Sequence, residues 1–256
     1  MDILVCVKRV PMVGGRISLS PDCLEVDTRF LGFTTSPHEE CAVEEAVRIV
    51  ERLGGSVTVL TLGGPEAADQ LRDALSVGAN AAILLKTDGR GWGPTATAAA
   101  IASVAEQHRQ AGRSPYDLLL FGNEAADTGD YQVPVRVAHI LGRPCATGIK
   151  SLDVDTDGAR AARDYRGVTE SFHLALPAVV SVKEGINLPR YPSLPGRMRA
   201  KKAQIEVLDP IWREDDLHLE ALRVSVSERR QARVLGRGPE AVPALVELLA
   251  SLGVLS

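Results

Sequence analysis

The stretch Asp117-Leu-Leu-Leu-Phe-Gly-Asn-Glu-Ala-Ala-Asp-Thr-Gly-Asp-Tyr-Gln-Val-Pro-Val-Arg-Val-Ala-His-Ile-Leu-Gly142 decides the fold. Leu118 to Phe121 form an unbroken apolar run, the mark of a parallel strand covered on both faces. Gly122 ends the run. The next residues, Asn123, Glu124, Ala125, Ala126, Asp127, Thr128, Gly129 and Asp130, are small or polar, so their backbone can approach a ligand closely. Pro134 suits the first turn of a helix carrying Val135, Val137, Ala138, Ile140 and Leu141, with Gly142 as its stop. In open α/β sheets ligands bind where such loops leave the carboxyl ends of strands, so a nucleotide phosphate is one reading of this loop. An ordinary strand-to-helix connection is the other.

Outward from this unit, strand and helix signals alternate as in a parallel sheet flanked by helices. Toward the amino end, Ile3 to Val7 is an apolar strand, followed by a long connection from Pro11 to Thr35 with Gly14, Gly15, Pro21 and Asp22 as turn residues and room for a hairpin. Ser36-Pro37-His38-Glu39 is a capping box with proline at the first helical position. The helix it opens carries a stripe of Ala42, Val43, Ala46, Val47, Ile49, Val50 and Leu53, and Gly54-Gly55 stops it. Val57 to Leu62 is the next strand. Gly63, Gly64 and Pro65 lead into a helix with Leu71, Ala74 and Leu75 that ends at Gly78. Ala82 to Leu85 is a third strand, and Pro94 opens an alanine-rich helix through about His108, which makes four β-α units with the opening stretch.

Beyond Ile149 the pattern changes to alternating segments, Ser151 to Asp155, Ala159 to Tyr165 and Glu170 to Leu174, expected as antiparallel additions to one edge. Ala178 to Val182 reads as a strand back inside the sheet. Past Pro210 the chain turns charged, at Arg213 to Asp216, and after Arg229, Arg230 and Arg233 it ends in an apolar helix from Pro239 to Leu252 that needs a cover. We therefore expect a nucleotide-binding α/β domain over residues 1–209 and a carboxyl-terminal arm over 210–256.

Composition bounds the function. The 256 residues are 45% hydrophobic and 24% charged with net charge -4, ordinary for a globular protein and against whole-surface nucleic-acid binding. Cys6, Cys23, Cys41 and Cys145 form no C-x-x-C pair, which favours reduced thiols over a disulfide frame or a metal site. No run approaches about 18 apolar residues, and the chain enters a strand at once, so the expectation is a cytoplasmic bacterial protein without a membrane span or signal peptide. His38, His108, His139, His173 and His218 are dispersed, with neither H-E-x-x-H nor G-x-S-x-G. There is no P-loop, and the Gly63-Gly64 turn is too short for a dinucleotide fingerprint. Glu39, Glu40, Glu44 and Glu45 read as solvated, dipole-matched charge on the outer face of a helix. Asp127 and Asp130 could hold a metal or ribose, or simply form the turn. With no nucleophile, base and oxyanion donor in recognisable order, a carrier or binding protein is expected rather than an enzyme.

The most specific signal is Asn187-Leu-Pro-Arg-Tyr-Pro-Ser-Leu-Pro-Gly-Arg-Met-Arg-Ala-Lys-Lys202. Pro189, Pro192 and Pro195 argue that Tyr191 and Leu194 are displayed from an extended loop, inside a basic surround of Arg190, Arg197, Arg199, Lys201 and Lys202. That is either a docking site for acidic partners or a proline-rich linker before a basic helix. At these residues the sequence resembles the β subunit of electron-transfer flavoprotein, whose signature runs N-x-P-R-Y-x-S/T-L-P, two residues, M-x-A-K-K. Val7 to Val10, Val43 to Ala46 and Leu71 to Ala79 extend the resemblance, which covers the whole chain.

The resemblance implies a Rossmann-like fold of the adenine-nucleotide α-hydrolase kind. It also implies a heterodimer with an α subunit holding the redox-active FAD, and AMP bound in this subunit. Electrons would come from dehydrogenases such as acyl-CoA dehydrogenases and pass to a quinone-reducing oxidoreductase. Transferred by motif, the AMP site is Cys6, Ser36, Gly63 and the loop Gly122, Asn123, Glu124, Ala125, Ala126, Asp127, Thr128, Gly129, Asp130, Tyr131, Gln132 and Val133. The partner loop is Arg190, Tyr191, Pro192, Ser193, Leu194 and Pro195, anchored by Leu194. The family's N-P-F/Y-D-E is here Ser36-Pro37-His38-Glu39-Glu40, which replaces the asparagine at the nucleotide and the aromatic near the flavin. Its A-I-D-x-D is Ala125-Ala126-Asp127-Thr128-Gly129, and Gln132-Val133 matches instead the D-G-D-T-A-Q-V-G-P of electron-bifurcating members, which hold a second FAD in place of AMP. A stand-alone nucleotide-binding regulatory protein is the alternative from another class, but it needs neither the proline-basic segment nor the apolar carboxyl-terminal helix.

Overall fold

The structure is a computed structural model that describes residues 1–12, 17–88, 91–214, 219–224, 232 and 234–254. Gly14, Gly15, Asp215, Asp216, His218, Arg229, Arg230 and Arg233, singled out above, lie outside the described residues. In chain order the elements are β1 (Asp2–Cys6), β2 (Val10–Pro11), β3 (Phe33–Thr34), α1 (Pro37–Leu53), β4 (Ser56–Gly63), α2 (Ala68–Val77), β5 (Ala81–Lys86) and α3 (Pro94–Gln110). There follow β6 (Leu118–Gly122), α4 (Gln132–Leu141), β7 (Cys145–Ile149), β8 (Ser151–Val154), β9 (Ala159–Tyr165), β10 (Val168–Leu174), β11 (Ala178–Val182), α5 (Leu194–Lys202), β12 (Glu206–Leu208) and α6 (Val242–Ser251).

Seven strands form the central sheet in the order β12-β5-β4-β1-β6-β11-β7, and every ladder in it is parallel. β1 is its middle, with Ile3 to Cys6 paired to Val57 to Leu60 on one side and to Leu118 to Phe121 on the other. Helices cover both faces, so these strands are apolar throughout rather than alternating. Ile3, Val5 and Leu120 face α1 and α2, whereas Leu4, Leu119 and Phe121 face α3 and α4. Ala178 to Val182 does return to the sheet, beside β6. The edge strands β7 and β12 are short and weakly patterned, and the sequence reading did not anticipate them.

The capping box forms as expected: the Glu39 N–H donates to Ser36 Oγ at 3.3 Å, and the Ser36 N–H donates to Glu39 Oε2 at 3.1 Å. Gly142 closes α4 in the left-handed region at φ 63°. The long first connection holds a small hairpin, β2 with β3. One expectation fails. β8, β9 and β10 do not extend the edge of the main sheet; they form a sheet of their own. The Lys150 N–H turns away to Ala162 O, and Val154, Ala159, Ala161 and Leu174 then face the same core as α1 and α2. An apolar face shared with that core is buried by folding over, not by lengthening the edge.

α5 packs on α2 because Gly196 lets the backbones meet: a Cβ there would stand 2.3 Å from the Ser76 carbonyl oxygen. Gly196→Ala is therefore expected to cost about 1 to 3 kcal/mol of stability, read as a lowered midpoint in denaturant. An unchanged midpoint would show that α5 is not seated against α2.

Candidate functional site

Chain connections leave β1 toward α1 on one face and leave β6 toward α4 on the other, so the strand order reverses between these two neighbours. The crevice at such a switch point is where open α/β sheets place ligands. A cavity of about 410 Å³ opens there. Its floor is Cys6, Leu60 and Phe121 at the strand ends. Gly93, Pro94 and Thr97 at the start of α3, and Gln132, Val133 and Pro134 at the start of α4, form its walls. The starts of both helices converge on one cavity; neither cap residue, Gly93 or Tyr131, caps its helix with a side chain, but the Asp130 carboxylate accepts from the Gln132 N–H at the start of α4. Lys8 also lines it, and Trp92 presents a buried indole Nε1–H without a partner among the described residues.

The loop between β6 and α4 is tied internally. Asn123 donates its N–H to Val182 O, and Ala125 donates to Asp130 O. The Gly129 N–H returns to Ala125 O at 2.7 Å, in the left-handed region at φ 65° that only glycine enters without strain. The Thr128 and Gln132 amides donate to Asp127 and Asp130 carboxylates, and Asp127 pairs with Lys8 at 2.8 Å. Five amides of the expected loop site, those of Asn123, Ala125, Thr128, Gly129 and Gln132, are therefore already engaged. The start of α4 is engaged as well, since Gln132 is its first residue.

Of the expected nucleotide residues, the cavity gathers Cys6, Gly122, Glu124, Ala125, Thr128, Asp130, Gln132 and Val133. Ser36, Gly63, Asn123, Ala126, Asp127, Gly129 and Tyr131 do not line it. Ser36 is buried with its hydroxyl spent on the cap of α1, and Asn123 accepts from Ser181 Oγ. Sequence reasoning missed Lys8, Glu39, Trp92, Gly93, Pro94 and Thr97 as lining residues. For Glu39 a signal existed. A capping-box glutamate must reach back to the cap amide, which here turns it toward the strand ends instead of solvent.

The acidic start of α1 is accordingly only in part a solvated face: Glu40 is exposed and Glu45 half-buried. Glu39 and Glu44 are both buried. Burial pushes the Glu39 carboxyl up to about 7, with hydrogen bonds from Ser36 and the Lys8 backbone opposing the shift. Burial likewise raises the Cys6 thiol, helped by Glu39, so Cys6 is a neutral floor and not a thiolate. Glu44 is held as a carboxylate by Arg190 and Arg48, which lower its pKa against the cost of burial.

Arg190 therefore faces inward, bonded to Glu44 and Glu51, and its charge is not free for a partner. The segment through Ser193 is extended as expected, but Leu194 is not in it. Ser193 accepts from the Gly196 N–H and caps α5, so Leu194 and Pro195 occupy its first turn. A proline in the first turn lacks only an N–H that would be unpaired there in any case. Leu194 is still 75% exposed and Tyr191 95%.

The family model for the electron transfer flavoprotein domain matches residues 26–211. The chain is 39% identical over 220 residues to the electron transfer flavoprotein subunit beta of Bacillus subtilis, covering 86% of this chain and 82% of that one. The chain belongs to the electron transfer flavoprotein β-subunit family. The human subunit beta is 32% identical over 257 residues, covering 99% of this chain and 98% of its own. That of Syntrophomonas wolfei is 34% identical over 206 residues, covering 80% and 78%.

The buried Glu39 gives this family member a pH signature. Its folded-state pKa is raised above the ordinary 4.5, so the native state holds the proton that the unfolded chain releases. Stability is expected to fall between about pH 4.5 and 7 and to level above. Glu39→Gln should remove that slope and add on the order of 3 kcal/mol above pH 7. Denaturant midpoints across pH check it; parallel profiles for the two proteins would mean that Glu39 is not buried as a neutral acid.

Proposed function

We propose that the chain is the β subunit of a heterodimeric electron-transfer flavoprotein, holding AMP in the switch-point cavity and docking dehydrogenases at the Leu194 segment. The observation that carries the nucleotide half is the convergence of two helix starts and Lys8 on one cavity, beside a Trp92 indole donor unpartnered among the described residues. A volume of about 410 Å³ lies within the range of roughly 300 to 1,000 Å³ usual for small-ligand sites. The first turns of α3 and α4 with Lys8 would take the phosphate, and the apolar floor of Leu60 and Phe121 suits a base. AMP supplies binding free energy and no redox chemistry; the flavin on the α subunit supplies that. The chain's own residues bind, orient and exclude water. A second FAD in place of AMP, as in bifurcating relatives, is favoured by one feature: Gln132 and Val133, the residues of that motif, both line the cavity.

The partner half rests on exposure held by a rigid frame. Leu194 projects from a capped helix turn seated on α2, so it loses little entropy on binding. The α6 helix buries none of its residues, with Val242, Leu245 and Val246 about half exposed, and it would be covered by the α subunit. Acyl-CoA dehydrogenases fit as electron donors and a quinone-reducing oxidoreductase as acceptor.

Two variants test the halves separately. Leu194→Ala should slow electron transfer from a partner dehydrogenase about tenfold and leave bound nucleotide and flavin unchanged. Equal rates at limiting dehydrogenase would dismiss Leu194 as the anchor. Gly129→Val strains the loop by about 1 to 3 kcal/mol without meeting any neighbour, and should lower the nucleotide retained through purification. Full retention would place the nucleotide elsewhere.

A further inference from the structure

The switch-point cavity is short of positive charge for an anion. Glu39, Glu124 and Asp130 line it, and Lys8 is the one basic side chain among its described lining residues. Lys8 is itself paired with Asp127, at 2.8 Å. Four carboxylates therefore stand against one ammonium, and a nucleotide phosphate entering with all of them ionised would meet repulsion that protein walls screen less than open water does.

Glu39 differs from the other three. Asp127 is exposed and Glu124 and Asp130 are half-buried, so water answers part of their charge, whereas Glu39 is only 7% exposed. It has no ion pair among the described residues, and its bonds are to neutral donors: the Ser36 N–H and hydroxyl, at 3.1 Å each, and the Lys8 backbone. Its place is fixed from two sides. The capping box holds it at the head of α1, and β6 passes close enough that a Cβ at Gly122 would stand 2.7 Å from Glu39 Cγ.

The titratable neighbours are otherwise occupied. Cys6 at the end of β1 is a neutral thiol, and Lys8 lowers the Glu39 carboxyl only from a distance. On the loop between β6 and α4, Glu124 accepts from Tyr131 and Asp130 from the Gln132 N–H. His38 accepts the Glu184 N–H on Nδ1 and stands 3.7 Å from Glu124, while Glu40 lies toward Asp73 and Glu184. The start of α3 adds no charged residue to the wall. Burial already holds Glu39 up at about 7, so a proton there costs little near neutral pH, and an anion nearby favours it further.

We propose that an anionic nucleotide and a proton enter this cavity together, the proton carried by Glu39, so that pH regulates occupancy of the site. The inference rests on the nucleotide reading of the cavity given above. Glu39 takes the proton from solvent as the phosphate binds, and no other bond forms or breaks. Affinity is then highest below about pH 6, where Glu39 is protonated with or without the nucleotide. It falls as pH rises through about 7 and levels once the occupied form ionises as well.

The test is equilibrium dialysis of the purified native assembly against isotope-labelled AMP at about pH 6 and about pH 8. Glu39→Gln is the variant, because glutamine also completes a capping box but carries no titrating proton. Titration of the phosphate of AMP is common to both proteins and cancels between them. Between the two pH values the wild-type affinity should fall about tenfold more than that of the variant, which should still bind at the higher pH. Equal pH dependence in the two proteins overturns the proposal and leaves the nucleotide site standing. So does loss of binding in Glu39→Gln at both pH values, since the neutral amide should act as the protonated acid does. No labelled AMP bound by either protein at either pH overturns the nucleotide reading, and this proposal with it.

Discussion

Strand β1 can sit at the centre of the sheet only if both of its edges are hydrogen-bonded and both of its faces are covered, and the rest of the structure follows from that. Ile3, Leu4 and Val5 are wholly buried, with β4 and β6 as their parallel neighbours. Parallel neighbours require crossover connections, and these take α1 and α2 to one face and α3 and α4 to the other. The reversal leaves a gap at the carboxyl ends of β1 and β6 that the fold cannot fill with its own backbone. The cavity floored by Cys6 and Phe121 is that gap. Its position is a consequence of topology, whereas its chemistry is set by the residues that the two helix starts and the Lys8 segment place around it.

Helix α1 carries the second constraint, since it brings two carboxylates into the interior and treats them differently. Glu44 meets two guanidiniums and stays charged, which anchors the segment before α5 to the body of the domain through Arg190. Glu39 meets only hydrogen-bond donors and tends toward the neutral acid. Both side chains are buried, and the ionic partners that Glu44 has keep it charged against that burial. The same helix fixes the segment before α5: the clamp on Arg190 and the contact of Gly196 with Ser76 hold Leu194 in a fixed exposed place.

Much of this was legible in the residues. The buried strands announced themselves as unbroken apolar runs, and Ser36, Pro94 and Gly142 marked helix boundaries correctly because capping is a local effect that sequence records directly. The motif from Asn187 to Lys202 led to the family. What failed was long-range. Ser151 to Leu174 showed its alternation but not which core its apolar face would join. Glu44 looked solvated because its partner Arg190 is remote in sequence, and Leu194 looked like loop because three nearby prolines hid a helix start that tolerates proline. Within the site, loop residues were overestimated, since Thr128, Gly129 and Gln132 spend their amides on the loop itself. Trp92 carried no motif to mark it, and Lys8 lay within the matching stretch Val7 to Val10 without a role assigned to it.

The account turns on a mononucleotide seated at the switch point of the sheet. Denaturing the purified native assembly and chromatographing the released nucleotides against the amount of this chain addresses it most directly. The account predicts one AMP for each chain, alongside the flavin contributed by the α subunit. Release of two FAD and no AMP, or of flavin alone, would contradict it.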